Sequence, residues 1–155
     1  MKKAWIRFGV LAALALLFLS FALFASVLAP FDPLESHYTD MLKAPGCTYL
    51  FGTDQLGRDL FSRILYGGKS SLLIAFAVTA IISSVGIVIG TVAGFAGGIF
   101  DNLLMRISDM LMAFPGYIFT IALVSFIGVG LPNMILAMSL TGWTFYARIS
   151  RSLVL

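Results

Sequence analysis

The clearest pattern in the sequence is a set of long uncharged runs separated by short charged segments. The first run extends from Phe8 to Ala29 and would reach about 33 Å as an α-helix, enough to cross the hydrocarbon core of a bilayer. A cleaved signal peptide is the alternative, but its apolar region is only about 7–15 residues long, and Val27-Leu28-Ala29 is a poor cleavage site. We therefore favour an uncleaved membrane anchor.

Two further uncharged stretches lie between Lys69 and Asp101 and between Asp109 and Arg148. The second is too long for one span, and its middle segment, Gly128–Asn133, holds two glycines and a proline that indicate a turn. The pattern therefore predicts four spans, although a single span followed by a re-entrant segment is an alternative for the last two. The predicted spans after the first cover about residues 72–95, 102–127 and 133–153.

The third predicted span carries its own local signals. Asp101 is a candidate N-cap for this helix, and Pro115 would then kink it after about three turns. Asp109 is the only acid near membrane depth, and acids inside a membrane are candidates for function. Arg106 lies three residues earlier, so we favour an interfacial ion pair between these two side chains.

Composition agrees with a lipid environment. Of the 155 residues, 60% are hydrophobic and 11% are charged, whereas soluble domains carry about 25% charged residues. The mean hydropathy is +1.02. The net charge of +3 does not indicate nucleic-acid binding, because the basic residues lie at the ends of apolar runs. The sequence therefore predicts an all-α, polytopic transmembrane protein.

The distribution of basic residues predicts a cytoplasmic N-terminus. In that orientation the long outer loop contains four basic residues among five acidic ones, whereas the short inner segments hold six basic residues. Those six are Lys2, Lys3, Arg7, Arg106, Arg148 and Arg151. We divide the chain into an anchor helix with its outer loop, residues 1–69, and a membrane domain, residues 70–155.

The outer loop contains a distinctive charged segment. From Gly57 onward we predict a short amphipathic helix ended by the pair Gly67-Gly68, with Asp59 and Arg63 pairing on its polar side. Such a helix would lie on lipid or pack against neighbouring helices. The charged residues could contact a ligand or a docking protein, but we favour a solvated loop with local ion pairs.

Gly86, Gly90 and Gly94 recur every four residues in the second span and so share one helical face. Such a face lets a second helix approach closely, which is how helices associate in lipid. We favour a packing face, and a face that slides or lines a pathway is compatible with it.

The sequence offers no catalytic set and no metal site. His37 is the only histidine and Cys47 the only cysteine, and both fall in the outer loop. A histidine and a cysteine ten residues apart make a poor metal site. No cofactor is expected, and a membrane-embedded enzyme is disfavoured.

The outer-loop segment resembles the hallmark of the dipeptide/oligopeptide/nickel family of ABC importer permeases, in particular the C-type subunit. The residues that carry this resemblance are Gly52, Thr53, Asp54, Gln55, Leu56, Gly57, Arg58, Asp59, Leu60, Phe61, Ser62 and Arg63. Further matches are Gly90–Gly94, Asp101–Arg106, Asp109-Met110, Ala113–Pro115, Gly142–Arg148 and Arg151. The resemblance covers nearly the whole chain, and its last residues lean toward the nickel-type branch.

The resemblance implies a type I importer fold of six spans in a bacterial inner membrane. It also implies a homologous second permease, two cytoplasmic ATPases and an extracytoplasmic binding protein as partners. The family's cytoplasmic coupling loop follows the fourth span, and this sequence stops at Leu155, before it. We therefore expect an incomplete permease domain with about four of the six spans.

Two functions follow as hypotheses. The first is a permease subunit that forms part of the translocation path for di- or oligopeptides or for nickel, without covalent chemistry of its own. The second is a truncated membrane scaffold that only associates with partner permease helices.

Overall fold

A computed structural model describes the backbone of residues 2–155 and the side chains from Trp5 onward, so the side chains of Lys2 and Lys3 lie outside the described part. The described residues form helices and connecting loops without a β-strand, which confirms the predicted all-α class. The helices are α1 (Lys2–Leu23), α2 (Ala25–Leu28), a 3-10 helix (Tyr38–Asp40), α3 (Leu60–Ala96), α4 (Gly98–Ala113), α5 (Gly116–Ile127) and α6 (Leu131–Val154).

The chain divides into two compact units, residues 1–73 and 74–155, and we describe each by itself. The first unit contains α1, α2, the folded outer loop and the first turns of α3. The apolar side chains of α1 are largely exposed, as Phe18 is at 71%. This exposure is what a lipid-facing helix requires, because lipid is its solvent.

The short helix predicted from Gly57 to the pair Gly67-Gly68 is wrong, because α3 runs without interruption from Leu60 to Ala96. Neither glycine of that pair has a positive φ, so neither ends the helix. A glycine inside a helix costs only about 1 kcal/mol, and the apolar sequence that follows sustains the helix. The helix ends instead at Ala96, directly before Gly97 and Gly98, which both have φ +60°.

The second unit contains the rest of α3 together with α4, α5 and α6. Between α4 and α5 the chain bends by 85° at Phe114-Pro115. Proline cannot continue the hydrogen-bond ladder and forces the preceding residue into an extended conformation, as Phe114 shows with ψ 138°. The predicted kink at Pro115 is therefore a complete break between two helices.

The loop Gly128–Gly130 connects α5 to α6, and Pro132 lies in the first turn of α6. The α1 segment from Trp5 and α3 are both long and apolar enough to span a bilayer, and the bent pair α4–α5 meets the test if it counts as one span. Within the described residues this makes two spans, or three. The more polar α6 does not meet the test, so a fourth span stays a prediction.

Candidate functional site

The outer-loop motif folds around the carboxylate of Asp54. Its Oδ1 accepts hydrogen bonds from the backbone amides of Leu56, at 2.8 Å, and Arg58, at 3.0 Å. Its Oδ2 accepts from Arg58 Nε at 2.9 Å and from a guanidinium nitrogen of Arg63. One partly buried carboxylate thus fixes a tight turn and holds both motif arginines.

These contacts also explain the acidity of Asp54. Burial on its own would raise the pKa of this carboxyl, but hydrogen bonds from the amides of Arg58 and Leu56 and from the Arg58 guanidinium lower it to about 2. Asp54 therefore stays ionised throughout the neutral range, and the turn it organises remains closed there.

Asp59 caps the N-terminus of α3. Its Oδ2 accepts hydrogen bonds from the amide of Ser62 at 2.8 Å and from the Ser62 hydroxyl at 2.7 Å. The same hydroxyl accepts a hydrogen bond from the amide of Phe31 at 3.2 Å, which ties the far end of the loop to the helix. The predicted Asp59–Arg63 ion pair is wrong, because the cap occupies Asp59 while Arg63 reaches back to Asp54.

The two motif glycines allow the loop to close on itself. Gly57 has φ +73°, and a Cβ there would lie 2.6 Å from the carbonyl carbon of His37. Gly52 has φ +76°, and a Cβ there would collide with the backbone around Lys43 and lie 3.2 Å from Pro45 N. Glycine is needed at both positions for its conformation and for the space it leaves.

Thr53 joins the motif to the preceding turn. Its Oγ1 accepts a hydrogen bond from the Lys43 amide at 2.8 Å and donates one to the carbonyl of Asp40. The carboxylate of Asp40 accepts from Lys43 Nζ at 2.6 Å and from the Tyr49 hydroxyl at 2.7 Å, and these two bonds lower its pKa. The loop is thus folded by its own hydrogen bonds and by local ion pairs, as the sequence suggested.

One apolar residue of the motif, Phe61, lines an apolar cavity. The ring of Phe61 packs edge-on against Phe51, with centroids 5.4 Å apart. Both line an apolar cavity of about 350 Å³, together with Phe18, Phe21 and other apolar side chains of α1 and α3. Leu56 is more exposed, at 38%.

The second predicted feature, the glycine face of α3, lies against α6. A Cβ at Gly86 would come within 2.5 Å of the Trp143 carbonyl oxygen, and one at Gly90 within 2.8 Å of the Ala147 backbone. At Gly94 the nearest atom would be Cβ of Val154, at 2.9 Å. Real Cβ atoms essentially never approach other atoms closer than 3.0 Å, so the two backbones meet at distances that only glycine allows.

Two ion pairs that the sequence did not predict connect α4 to α6. Arg151 donates two hydrogen bonds of 2.5 Å to the carboxylate of Asp101, which is only 6% exposed. Arg148 pairs with the exposed carboxylate of Asp109. The predicted role of Asp101 as N-cap and the predicted Arg106–Asp109 pair are therefore wrong, since α4 already begins at Gly98 and its acids face α6.

No group of metal-ligating side chains occurs within the described residues. His37 Nε2 lies 3.8 Å from a carboxylate oxygen of Glu35, and Cys47 is exposed.

The sequence of the second unit matches a known family of membrane proteins. Residues 86–155 match the family described as "Binding-protein-dependent transport system inner membrane component". The chain is thus a membrane component of the transport-system class, and its apolar helices fit a multi-pass inner-membrane protein.

Individual relatives narrow the class to one family. The nickel transport system permease protein NikC of Escherichia coli is 39% identical over 146 residues, which cover 94% of this chain and 51% of the relative. The di/tripeptide transport system permease protein DppC of Pseudomonas aeruginosa is 35% identical over 167 aligned residues, covering 100% of this chain and 55% of the relative. The chain belongs to the dipeptide/oligopeptide/nickel permease family, and it spans about half the length of the curated relatives it matches.

Proposed function

We propose that the chain is a permease subunit of a binding-protein-dependent ABC importer and forms part of the translocation path for di- or oligopeptides or for nickel. The observation that carries this proposal is the similarity to permease subunits along 94% or more of the chain. The folded loop motif supports it, because each polar side chain between Gly52 and Arg63 except that of Gln55 makes a hydrogen bond that holds the fold of this segment.

The proposed mechanism is repacking of helices without covalent chemistry. Helices α3 and α6 meet backbone to backbone at Gly86 and Gly90, and this close glycine crossing is where we propose that the two helices shift. ATP hydrolysis belongs to two separate cytoplasmic ATPase subunits, and a homologous second permease completes the path. We propose no cofactor for the chain itself.

The prefolded outer loop supports a role on the extracytoplasmic side, where a substrate-binding protein delivers cargo. That placement requires a cytoplasmic N-terminus. Fusion of alkaline phosphatase after residue 46 and after the N-terminus would test it, with activity expected only for the loop fusion. Activity at the N-terminus alone would reverse the orientation.

Uptake measurements test the function and distinguish the cargo. Cells lacking the full-length gene are expected to lose ATP-dependent accumulation of either radioactive nickel or a radiolabelled dipeptide, and the reintroduced gene is expected to restore it. Unchanged uptake of both would refute the importer. A scaffold without transport activity would bind partner permease helices, yet no ATPase subunits would copurify with the full-length protein.

A further inference from the structure

Helix α4 carries three distinct sides: one packs against α6, a polar one meets α6 only through the Asp109–Arg148 ion pair, and an apolar one has no partner in the described unit. The first side faces α6, where Asp101 and Ser108 are buried. The second is polar and exposed, and its residues are spaced four and three apart: Asn102, Arg106 and Asp109. The third is apolar and equally exposed, and it includes Ile99, Leu103 and Met110, spaced four and seven apart.

This arrangement does not suit a helix that crosses lipid. A spanning helix would bring the exposed polar side, with Arg106 near its centre, into hydrocarbon, where charged groups are costly. A helix wholly in water would leave its apolar side uncovered, and Ile99 is 89% exposed. Adjacent polar and apolar sides suit a helix at the boundary, with one side hydrated and the other in the acyl region.

Helix lengths and the bend point to the same place. At 1.5 Å per residue the 16-residue α4 is about 24 Å long and the 12-residue α5 about 18 Å. The 85° bend between them at Pro115 turns α4 nearly perpendicular to α5. If α5 and α6 enter the bilayer as a hairpin, α4 must run across that direction, along the membrane surface.

The positions of the charged residues in α6 indicate the depth of α4 relative to the membrane surface. Residues 131–147 of α6 carry no charge, and the first charged side chain after them is Arg148. Arg148 and Arg151 pair with Asp109 and Asp101 of α4. The ion pairs thus place α4 beside the charged end of α6, where an apolar helix meets the membrane–water interface.

We propose that α4 is an interfacial helix that binds the bilayer surface, with Ile99, Leu103 and Met110 inserted among acyl chains and Asn102 and Arg106 in water. The occupant of its apolar side is lipid rather than another protein helix. The proposal does not depend on which substrate the protein transports, or on whether it transports one.

Depth measurements by spin labelling test this placement. The full-length protein, with Cys47→Ser and one new cysteine at a time, is reconstituted with any copurifying subunits into phosphatidylcholine–phosphatidylglycerol vesicles. Accessibility of the nitroxide to oxygen and to chromium oxalate gives its depth. Labels at Ile99→Cys, Leu103→Cys and Met110→Cys are expected at one shallow depth, within about 5 Å, while Arg106→Cys is open to chromium oxalate.

A matched control comes from α3, where Val85, Val88 and Val92 are exposed on one face of a helix long enough to span. Labels at Val85→Cys and Val92→Cys should differ in depth by about 10 Å. A progressive change of about 16 Å from residue 99 to residue 110 would show that α4 spans the membrane and would overturn the proposal. Exclusion of both oxygen and chromium oxalate from all three α4 sites would show a covering protein and overturn it as well.

Discussion

The contact of α3 with α6 allows a graded prediction, because the three glycines differ in what a methyl group would meet. At Gly90 the added Cβ would collide with the carbonyl oxygen of Ala147 and lie 2.8 Å from its carbonyl carbon and Cα. These are backbone atoms that cannot rotate away. At Gly94 the obstacles are Cβ and Cγ1 of Val154, at 2.9 Å and 3.0 Å, which is a milder overlap than the one at Gly90.

The magnitude follows from two opposed terms. Overpacking a tight contact costs about 1–3 kcal/mol, while replacing a helical glycine by alanine returns about 0.5–1 kcal/mol of helix propensity. Gly90→Ala should therefore destabilise the α3–α6 contact by a net of about 1–2 kcal/mol, and Gly94→Ala by less. Gly67→Ala is the matched control, since it lies in the same helix with nothing within 4 Å of its Cβ. It should stabilise slightly.

The assay is thermal inactivation of the purified full-length protein in detergent, followed by loss of the monodisperse peak in gel filtration. Rates serve better than equilibrium values because membrane proteins often unfold irreversibly. The expected order of half-lives is Gly67→Ala longest, then wild type, then Gly94→Ala, then Gly90→Ala. A Gly90→Ala half-life equal to that of Gly67→Ala would refute the close crossing.

Three further predictions concern the loop and the ion pairs. Because the folded pKa of Asp54, about 2, lies below its ordinary value of 3.8, its stabilising effect is present above pH 4 and disappears as the pH falls toward 2. Pepsin should therefore cut the loop of Asp54→Asn faster than that of wild type at pH 4, with the difference vanishing near pH 2; an equal difference at both pH values would contradict this. Gly57→Ala, which adds about 1–2 kcal/mol of left-handed strain besides its collision, should open the loop to protease at neutral pH, whereas Gly46→Ala should not. Arg151→Lys should shorten the thermal half-life more than Arg148→Lys, because lysine cannot form both hydrogen bonds to the nearly buried carboxylate of Asp101. Equal half-lives of the two variants would contradict this two-bond geometry.

Local sequence patterns predicted where the helices lie better than they predicted the residues at which the helices end. The period of apolar runs located the helices, since a lipid-facing helix must be apolar along its whole length. The same local rule failed at Gly67-Gly68, where glycine only weakens a helix and the flanking sequence decides whether it continues. At Gly97-Gly98 positive φ values do end the helix, and nothing in the glycine pair itself distinguishes the two cases.

Ion pairing was the least predictable part of the site. Spacing of four residues suggested Asp59 with Arg63, and spacing of three suggested Arg106 with Asp109. In the structure Asp59 instead caps helix α3. The two acids of α4 pair with arginines of α6 that lie 39 and 50 positions away in the sequence. Only the fold brings such partners together. A hint was nevertheless present in the sequence, because a charge next to an apolar span requires a partner wherever the chain can supply one.

The residues of α6 from Trp143 to Val154 make two different kinds of contact in the second unit. Toward α3 they present backbone atoms to Gly86 and Gly90 and the side chain of Val154 to Gly94, without a hydrogen bond among these contacts. Toward α4 the same segment contributes Arg148 and Arg151, which form ion pairs with two carboxylates of α4. Sliding at the first contact breaks no hydrogen bond, whereas separation at the second would leave the Asp101 carboxylate nearly buried and unpaired. Any repacking in this unit should therefore move α4 and α6 together against α3. Under the proposed permease function, cysteine crosslinks between α4 and α6 should leave transport intact, whereas crosslinks between α3 and α6 should block it.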